Sequence, residues 1–297
     1  TTVDGDGFIH SFNGPHSLFS DTIRSVRILC LAHRLGHMLM GEGDKPISLL
    51  GRAVEHVQTT SRFNVYFGQG RDTWDVPGRV VHESIFNTKD GNYRCPSTQQ
   101  GYSAFSTWTR GLAWILCGYA EQLEFFRTVK PVELEPLGVG KRAFVAMMEK
   151  AARATADFHI ENSFADGVPF WDTGAPGVAS FGRYTSEPSD PYNDVEPLDS
   201  SAAAICAQGL LRLGNYLSKK GDKKSGIRYR NAANSVAVGY QAGYGSNAVR
   251  GSISNSTFVG YRAGYGITTG NNNLLLGYQA GDALTSGSNN IAIGYDV

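Results

Sequence analysis

The chain has 297 residues, with 27 lysines and arginines against 27 aspartates and glutamates. That length holds one large domain or two smaller ones with a sizeable core, and a formal net charge of zero offers no basic field to nucleic acid or an anionic membrane surface. No apolar run reaches the roughly 18 residues of a membrane span, and no charged-then-apolar leader follows Thr1, which leaves a bacterial-type cytoplasm or periplasm open as the compartment.

Residues 1 to 16 carry Gly5, Gly7, Gly14 and Pro15, which is loop chemistry. Asp4-Gly5-Asp6-Gly7 has the flavour of a calcium loop, but its twelfth position would be Pro15 instead of a glutamate, which excludes it. From Ser17 to about Met40 the residues Phe19, Ile23, Val26, Cys30 and Leu31 recur at three- and four-residue steps and predict a helix. Leu29 and Leu35 on its other faces predict burial on most sides. Asp21 falls in the first turn of that helix. An acid there is either a cap favoured by the helix dipole or, part-buried at the mouth of a barrel, a general acid with a raised pKa.

His33 and His37 have a chelating i, i+4 spacing, but Arg34-Leu35-Gly36 between them supplies no glutamate, and no metal site is expected. A second helix is predicted from Pro46 to about Thr60, with Ile47, Leu50, Val54 and Val57 as its apolar stripe. Residues 62 to 105 break the helical rhythm, and a connection that long in a compact domain is usually functional; His82 and Gln100 lie in it.

A third helix is predicted from about Ser106 to Arg127. It places Arg110 and Trp114 four apart on one face. A guanidinium fork beside an indole makes a seat for a sugar acid, the fork taking the carboxylate and the ring stacking on the pyranose; the structural alternative is a buried tryptophan with a surface arginine. Further helices are predicted from Lys141 to Phe158, with Phe144, Met148, Ala151 and Thr155 facing inward, and from an Asp199 cap to about Leu217. A second long loop, 160 to 198, separates them. Cys30, Cys95, Cys117 and Cys206 are scattered without metal-knuckle or redox spacing and are expected to be reduced.

After Lys224 the composition changes. Asn234-Ser-Val-Ala-Val-Gly-Tyr240 recurs from Asn255, Asn272 and Asn289, first after 21 and then after 17 residues. Such a period predicts stacked coils with one short strand each, residues such as Ile291 and Ile293 marking the strands and Gly with Asn the corners. So few thin coils bury little alone, and stacking against other chains is the expected remedy.

The order Leu18-Phe19-Ser20-Asp21-Thr22, Gln100-Gly101-Tyr102-Ser103, Ser106-Thr107-Trp108-Thr109-Arg110-Gly111-Leu112-Ala113-Trp114, Pro169-Phe170-Trp171-Asp172 and Asp199-Ser200-Ser201-Ala202 resembles the unsaturated glucuronyl hydrolases, glycoside hydrolase family 88, over residues 8 to 232. The resemblance implies a mainly α chain, with part of an (α/α)6 toroid of helical hairpins over 1 to 232; the repeats predict a small β-roll or solenoid over 233 to 297. It also implies hydrolysis of oligosaccharides with a terminal 4,5-unsaturated uronic acid by hydration of the double bond, without a metal or organic cofactor. Mapped onto matching positions, Asp21 would be the acid/base, Gln100, Arg110 and Trp114 would hold the ring and its carboxylate, His82 would assist, and Trp108 and Trp171 would join the substrate-binding set. Family members often have Asp-Asp where this chain has Ala104-Phe105, and only about half of the family's ring is visible. The tail resembles repeats of trimeric autotransporter adhesins and phage tail fibres, which implies a homotrimer. The alternative function is therefore a non-catalytic, trimeric, carbohydrate-binding or fibre component.

Overall fold

The structure, a computed structural model, describes residues 7–11, 13–70, 72–233, 235–238, 242, 253 and 256–297. Asp4, Gly5 and Asp6 of the calcium-like loop, Asn234, Asn255, and Gly239 and Tyr240 of the first repeat lie outside them. The chain divides into two compact units, Thr1–Phe158 and His159–Val297.

The first unit opens with strand β1 (Ser17–Phe19), a 3-10 turn (Ser20–Arg24) and helix α1 (Val26–Arg34). A short hairpin of β2 (Leu39–Met40) and β3 (Pro46–Ile47) leads to α2 (Leu49–Phe63), β4 (Glu83–Phe86) and β5 (Tyr93–Ser97). Then come α3 (Thr109–Phe126), the single turn α4 (Pro131–Leu134) and α5 (Lys141–Glu161), whose last turn enters the second unit.

The single helix expected over 17 to 40 is thus a strand, a 3-10 turn, a shorter helix and the first strand of the hairpin. Pairing overrides the local periodicity: Leu18 and Phe19 lie opposite Ser84 and Glu83 in an antiparallel ladder, and the Ser17 hydroxyl donates to the buried Glu83 carboxylate. Nor is α1 buried on most sides, since Val26 and Cys30 face the core while Ile28, Leu31 and Leu35 are exposed. The second helix starts three residues later than expected, because Pro46 pairs with Met40 in the hairpin and the Ser48 hydroxyl caps the Gly51 N–H at 3.0 Å. Within the long connection 62 to 105, β4 and β5 complete a three-stranded antiparallel sheet in the order β1-β4-β5.

Helix α3 is the central element, and every residue from Thr109 to Phe126 is buried except Arg110, Trp114 and Glu124. A helix apolar on all sides belongs inside. It meets α2 through the Tyr119 hydroxyl, 2.8 Å from the Val57 carbonyl, and α5 through Phe126 on Phe144, with ring centroids 4.8 Å apart. Phe144, Met148, Ala151 and Thr155 do face inward.

In the second unit α6 (Ser200–Lys220) starts at Asp199, whose carboxylate accepts the Ala202 N–H at 2.8 Å, as expected of the cap. Cys206, Leu210, Leu213 and Leu217 are buried on one side. Gly221, in the left-handed region at φ 105°, ends α6. Helix α7 (Lys223–Ala233) follows, rich in Lys and Arg and without an apolar stripe by which to expect it. Helix α7 ends at Ala233, and α6, α7 and the repeats share one compact unit.

Strands β6 (Ser235–Val238), β7 (Ser256–Val259), β8 (Leu274–Leu276) and β9 (Ile291–Ile293) form a parallel four-stranded sheet, one strand per repeat. Phe258 pairs with Leu275 and Leu275 with Ala292, so equivalent side chains stack. Phe258, Leu275, Ala263, Ala280 and Ile267 make its core. Asn272 and Asn289 turn the corners at φ 60° and 63°, where a short amide side chain tolerates the left-handed backbone. Ile291 and Ile293, which mark the last strand in the sequence, face outward, while Ala292 packs against the core. The chain as a whole is mainly helical and its sheets are small. All four cysteines are free, with Cys95 exposed and the others buried.

Candidate active site

The 3-10 turn that carries Asp21 is held against α3 by two glycines on one helix face. A Cβ on Gly111 would come within 2.9 Å of the Ser20 hydroxyl, and one on Gly118 within 2.6 Å of Ile23 Cγ2. The Arg-Gly pair of the Trp108–Trp114 segment therefore does two jobs: Arg110 supplies charge, and Gly111 lets the turn approach. The Ser20 hydroxyl donates to Asp21 Oδ1 at 3.1 Å. No side-chain cap is made at the start of the turn, where Phe19 is the N-cap residue, so Asp21 is not acting as the cap.

His82 precedes β4 and is buried among aromatic rings, 5.1 Å from Phe19 and 4.6 Å from Trp108 between centroids. The Gln99 N–H donates to its Nδ1 at 3.2 Å, and the Thr98 hydroxyl lies 3.3 Å from the same nitrogen. A backbone N–H only donates, so Nδ1 is the acceptor and the neutral ring carries its proton on Nε2. That Nε2 is 3.9 Å from Asp21 Oδ1, beyond hydrogen-bond range, and has no hydrogen-bond partner in the protein. A buried donor left open beside a carboxylate is a place for a ligand atom.

Burial raises the Asp21 pKa above its ordinary 3.8, against the opposing pull of His82, the Ser20 hydroxyl, the turn's own backbone and, last, Arg110. Because 39% of the side chain still meets solvent, the rise is moderated by water. His82 is shifted down by burial, with Asp21 and Glu83 pulling the other way. At neutral pH the histidine is therefore a neutral hydrogen-bond donor.

Arg110 is within electrostatic reach of Asp21, and its guanidinium lies 5.8 Å from the Trp108 ring. Trp108 is buried and packs against both this guanidinium and the His82 ring. Trp114 is half-buried, with the Arg24 guanidinium 5.2 Å from its ring centroid. Arg24 is itself anchored to Glu121 at 2.9 Å. Gln100 is exposed on the loop that fixes His82 through Thr98 and Gln99. Asp21, His82, Gln100, Trp108, Arg110 and Trp114 all belong to the first unit; Trp171 belongs to the second, where its indole N–H donates to Glu196 at 2.9 Å. His33 lies 3.7 Å from Glu133, and among the described residues no three His, Cys, Asp or Glu side chains are grouped as a metal site.

Sequence reasoning missed Arg24, Ser20 and the Thr98-Gln99 clamp. Thr98 and Gln99 stand directly before Gln100 and were within reach of a local reading. Arg24 meets Trp114 only through the packing of the turn on α3, and no spacing announces it.

No protein-family model matches the chain. Over 187 residues it is 28% identical to the unsaturated glucuronyl hydrolase of Formosa agariphila, a match covering 62% of this chain and 36% of that protein. It is 29% identical over 187 residues to the unsaturated glucuronyl hydrolase of Bacillus sp. strain GL1, covering 58% of this chain and 41% of that one. The chain thus spans about two fifths of the length of the curated relatives it matches. Among solved structures, a UGL complex with dGlcA-Glc-Rha-Glc superposes with a TM-score of 0.53 at 23% identity, covering 78% of this chain and 50% of the other. An unsaturated glucuronyl hydrolase specific for heparin gives 0.51 at 21% identity, covering 76% and 47%. At these identities the likeness establishes the fold: mainly helical, of the (α/α)6 class, over about half of each of those structures.

Proposed function

We propose that the chain is a glycoside hydrolase acting on oligosaccharides with a terminal 4,5-unsaturated uronic acid, by hydration of the double bond. The observation that carries this reading is the open, buried Nε2–H of His82 facing the Asp21 carboxylate, with the Arg110 guanidinium within electrostatic reach of the acid. The named relatives support the same reading.

In this mechanism the Asp21 carboxyl, kept protonated to higher pH by burial, gives its proton to C4 of the vinyl ether, and positive charge develops at C5 and the ring oxygen. The resulting carboxylate takes a proton from water as the water oxygen bonds to C5. The hemiketal formed then opens, and the bond to the neighbouring sugar breaks as that sugar leaves with its oxygen and a proton. The acid regains its proton over the cycle, so a single carboxylate suffices and the paired-carboxylate spacing of ordinary glycosidases does not apply. Arg110 pairs with the uronate carboxylate, and His82 donates to a substrate oxygen from Nε2. Gln100, Trp108 and Trp114 complete the proposed contacts to the sugar.

Turnover is read as loss of the double bond's ultraviolet absorbance with an unsaturated uronyl disaccharide. Asp21→Asn, which keeps the shape of the side chain, should abolish it. Undiminished turnover in that variant, or none in the unaltered chain, sinks the proposal.

We assign residues 1–232 to the hydrolase-like helical domain and 233–297 to a β-roll. The alternative, a trimeric carbohydrate-binding or fibre component, draws on the outward row of Val259, Ile291 and Ile293 on the repeat sheet. Light scattering decides it: a strict monomer removes the trimer.

A further inference from the structure

The antiparallel ladder that pairs Ser84 with Pro96 and Glu83 with Ser97 sets the next two residues, His82 and Thr98, against each other. The Thr98 side chain then makes two contacts. Its oxygen accepts the Gly101 N–H at 2.8 Å and lies 3.3 Å from Nδ1 of His82. Nδ1 is an acceptor, because the Gln99 N–H donates to it at 3.2 Å. The single hydroxyl proton of Thr98 therefore points at the ring while a lone pair holds Gly101. Gln99 lies inside the turn that the Gly101 bond closes, so the backbone donor on Nδ1 is itself held in place by Thr98.

Which nitrogen of a neutral imidazole carries the proton is decided by the hydrogen bond that the other one makes. Two donors at Nδ1 leave only Nε2 for the proton, and Nε2 is the buried atom that faces Asp21 without a partner in the protein. In the other tautomer three donors would crowd one another at Nδ1, and a bare Nε2 lone pair would face the Asp21 carboxylate. The neighbouring Glu83 does not compete for the ring, since its carboxylate accepts from Asn13 Nδ2 at 2.7 Å and from the Ser17 hydroxyl. We infer that Thr98 is a positioning residue: it touches no reacting atom and fixes His82 in the Nε2–H form, directly through its hydroxyl and indirectly through the turn that presents the Gln99 N–H. The effect on turnover rests on the hydrolase reading; the effect on the tautomer does not.

Thr98→Val keeps the shape of the side chain and removes the hydroxyl, whereas Thr98→Ser keeps the hydroxyl. Nitrogen-15 NMR of the full chain labelled at histidine reads the tautomer directly, with His82→Gln identifying the His82 signals. The unaltered chain and Thr98→Ser should show His82 protonated at Nε2 alone, and Thr98→Val should show a share of the Nδ1–H form. With an unsaturated uronyl disaccharide, kcat of Thr98→Val should fall about three- to tenfold, the worth of one hydrogen bond. KM should change less, and Thr98→Ser should keep the turnover of the unaltered chain. An Nδ1–H ring in the unaltered chain, or an unchanged tautomer in Thr98→Val, overturns the inference alone; so does a changed tautomer with kcat intact. Absence of turnover in the unaltered chain overturns the effect on turnover together with the hydrolase reading, and the NMR comparison then still decides whether Thr98 sets the tautomer.

Discussion

The close approach of α3 to the Asp21 turn makes Gly118→Ala an informative perturbation. In an open helix the change stabilises by about 1 kcal/mol, because glycine loses more backbone freedom on folding than alanine does. Here the new Cβ would sit 2.6 Å from Ile23 Cγ2 and 2.9 Å from its Cγ1, where carbon atoms ordinarily keep about 3.5–4.0 Å. Ile23 is fully buried and branched at Cβ, so it has little room to rotate away. Overpacking of this kind costs about 1–3 kcal/mol against a propensity gain of about 1 kcal/mol, so the net expectation is a loss of up to about 2 kcal/mol. Urea unfolding should show a lower midpoint with an unchanged slope, and turnover should fall as well, since Ile23 is two residues from Asp21. In an Ile23→Ala background, where the obstructing carbons are gone, the same glycine-to-alanine step should become stabilising. A raised midpoint for Gly118→Ala in the unaltered chain would refute the packing that positions the acid.

Arg110→Lys keeps the charge but loses the two-pronged fork, so KM for the uronyl disaccharide should rise about tenfold or more while kcat changes less; an unchanged KM argues against carboxylate recognition by Arg110. Asp199→Ala removes the cap on α6 and should lower stability by about 1 kcal/mol, read as a shift in the urea midpoint, with Asp199→Asn nearly neutral. Burial holds His56 neutral, its pKa pushed down to about 3 from the ordinary 6.5, with Nδ1 accepting the Ile9 N–H at 3.1 Å. The unfolded chain then binds more protons than the folded one below pH 6.5, so stability is full above that value and is lost as pH falls toward 3. Thermal melts of His56→Gln should show a shallower acid loss than the unaltered chain. For Asp21 the sign reverses: the folded state binds the extra proton, so stability present below pH 3.8 declines as pH rises through the raised value, and Asp21→Asn should flatten that decline.

What could be read directly were features whose cause lies within a few residues. Helix α3 follows from an apolar run too dense for any surface helix, α6 from Asp199 ahead of a three-four rhythm, and the repeat strands from identical phrases 17 residues apart. The motif order also led to the hydrolase relatives. The helix expected from Ser17 failed because Leu18 and Phe19 fit a strand and a helix stripe equally well, and only the ladder to Ser84 and Glu83 chooses between them. The outward turn of Ile291 and Ile293 is a similar case, since alternation predicts a strand without saying which face is inside.

The amino-acid order by itself determined the helical class and the repeat period, and it supplied the side chains proposed to carry the chemistry. Tertiary structure alone decided their company: that Asp21 faces the protonated nitrogen of His82, that Arg24 lies by Trp114, and that Trp74 meets Phe105. The physical reason is range. Backbone propensity and periodicity act over one or two turns of chain, whereas burial, charge and tautomer are set by whatever distant segment packs alongside.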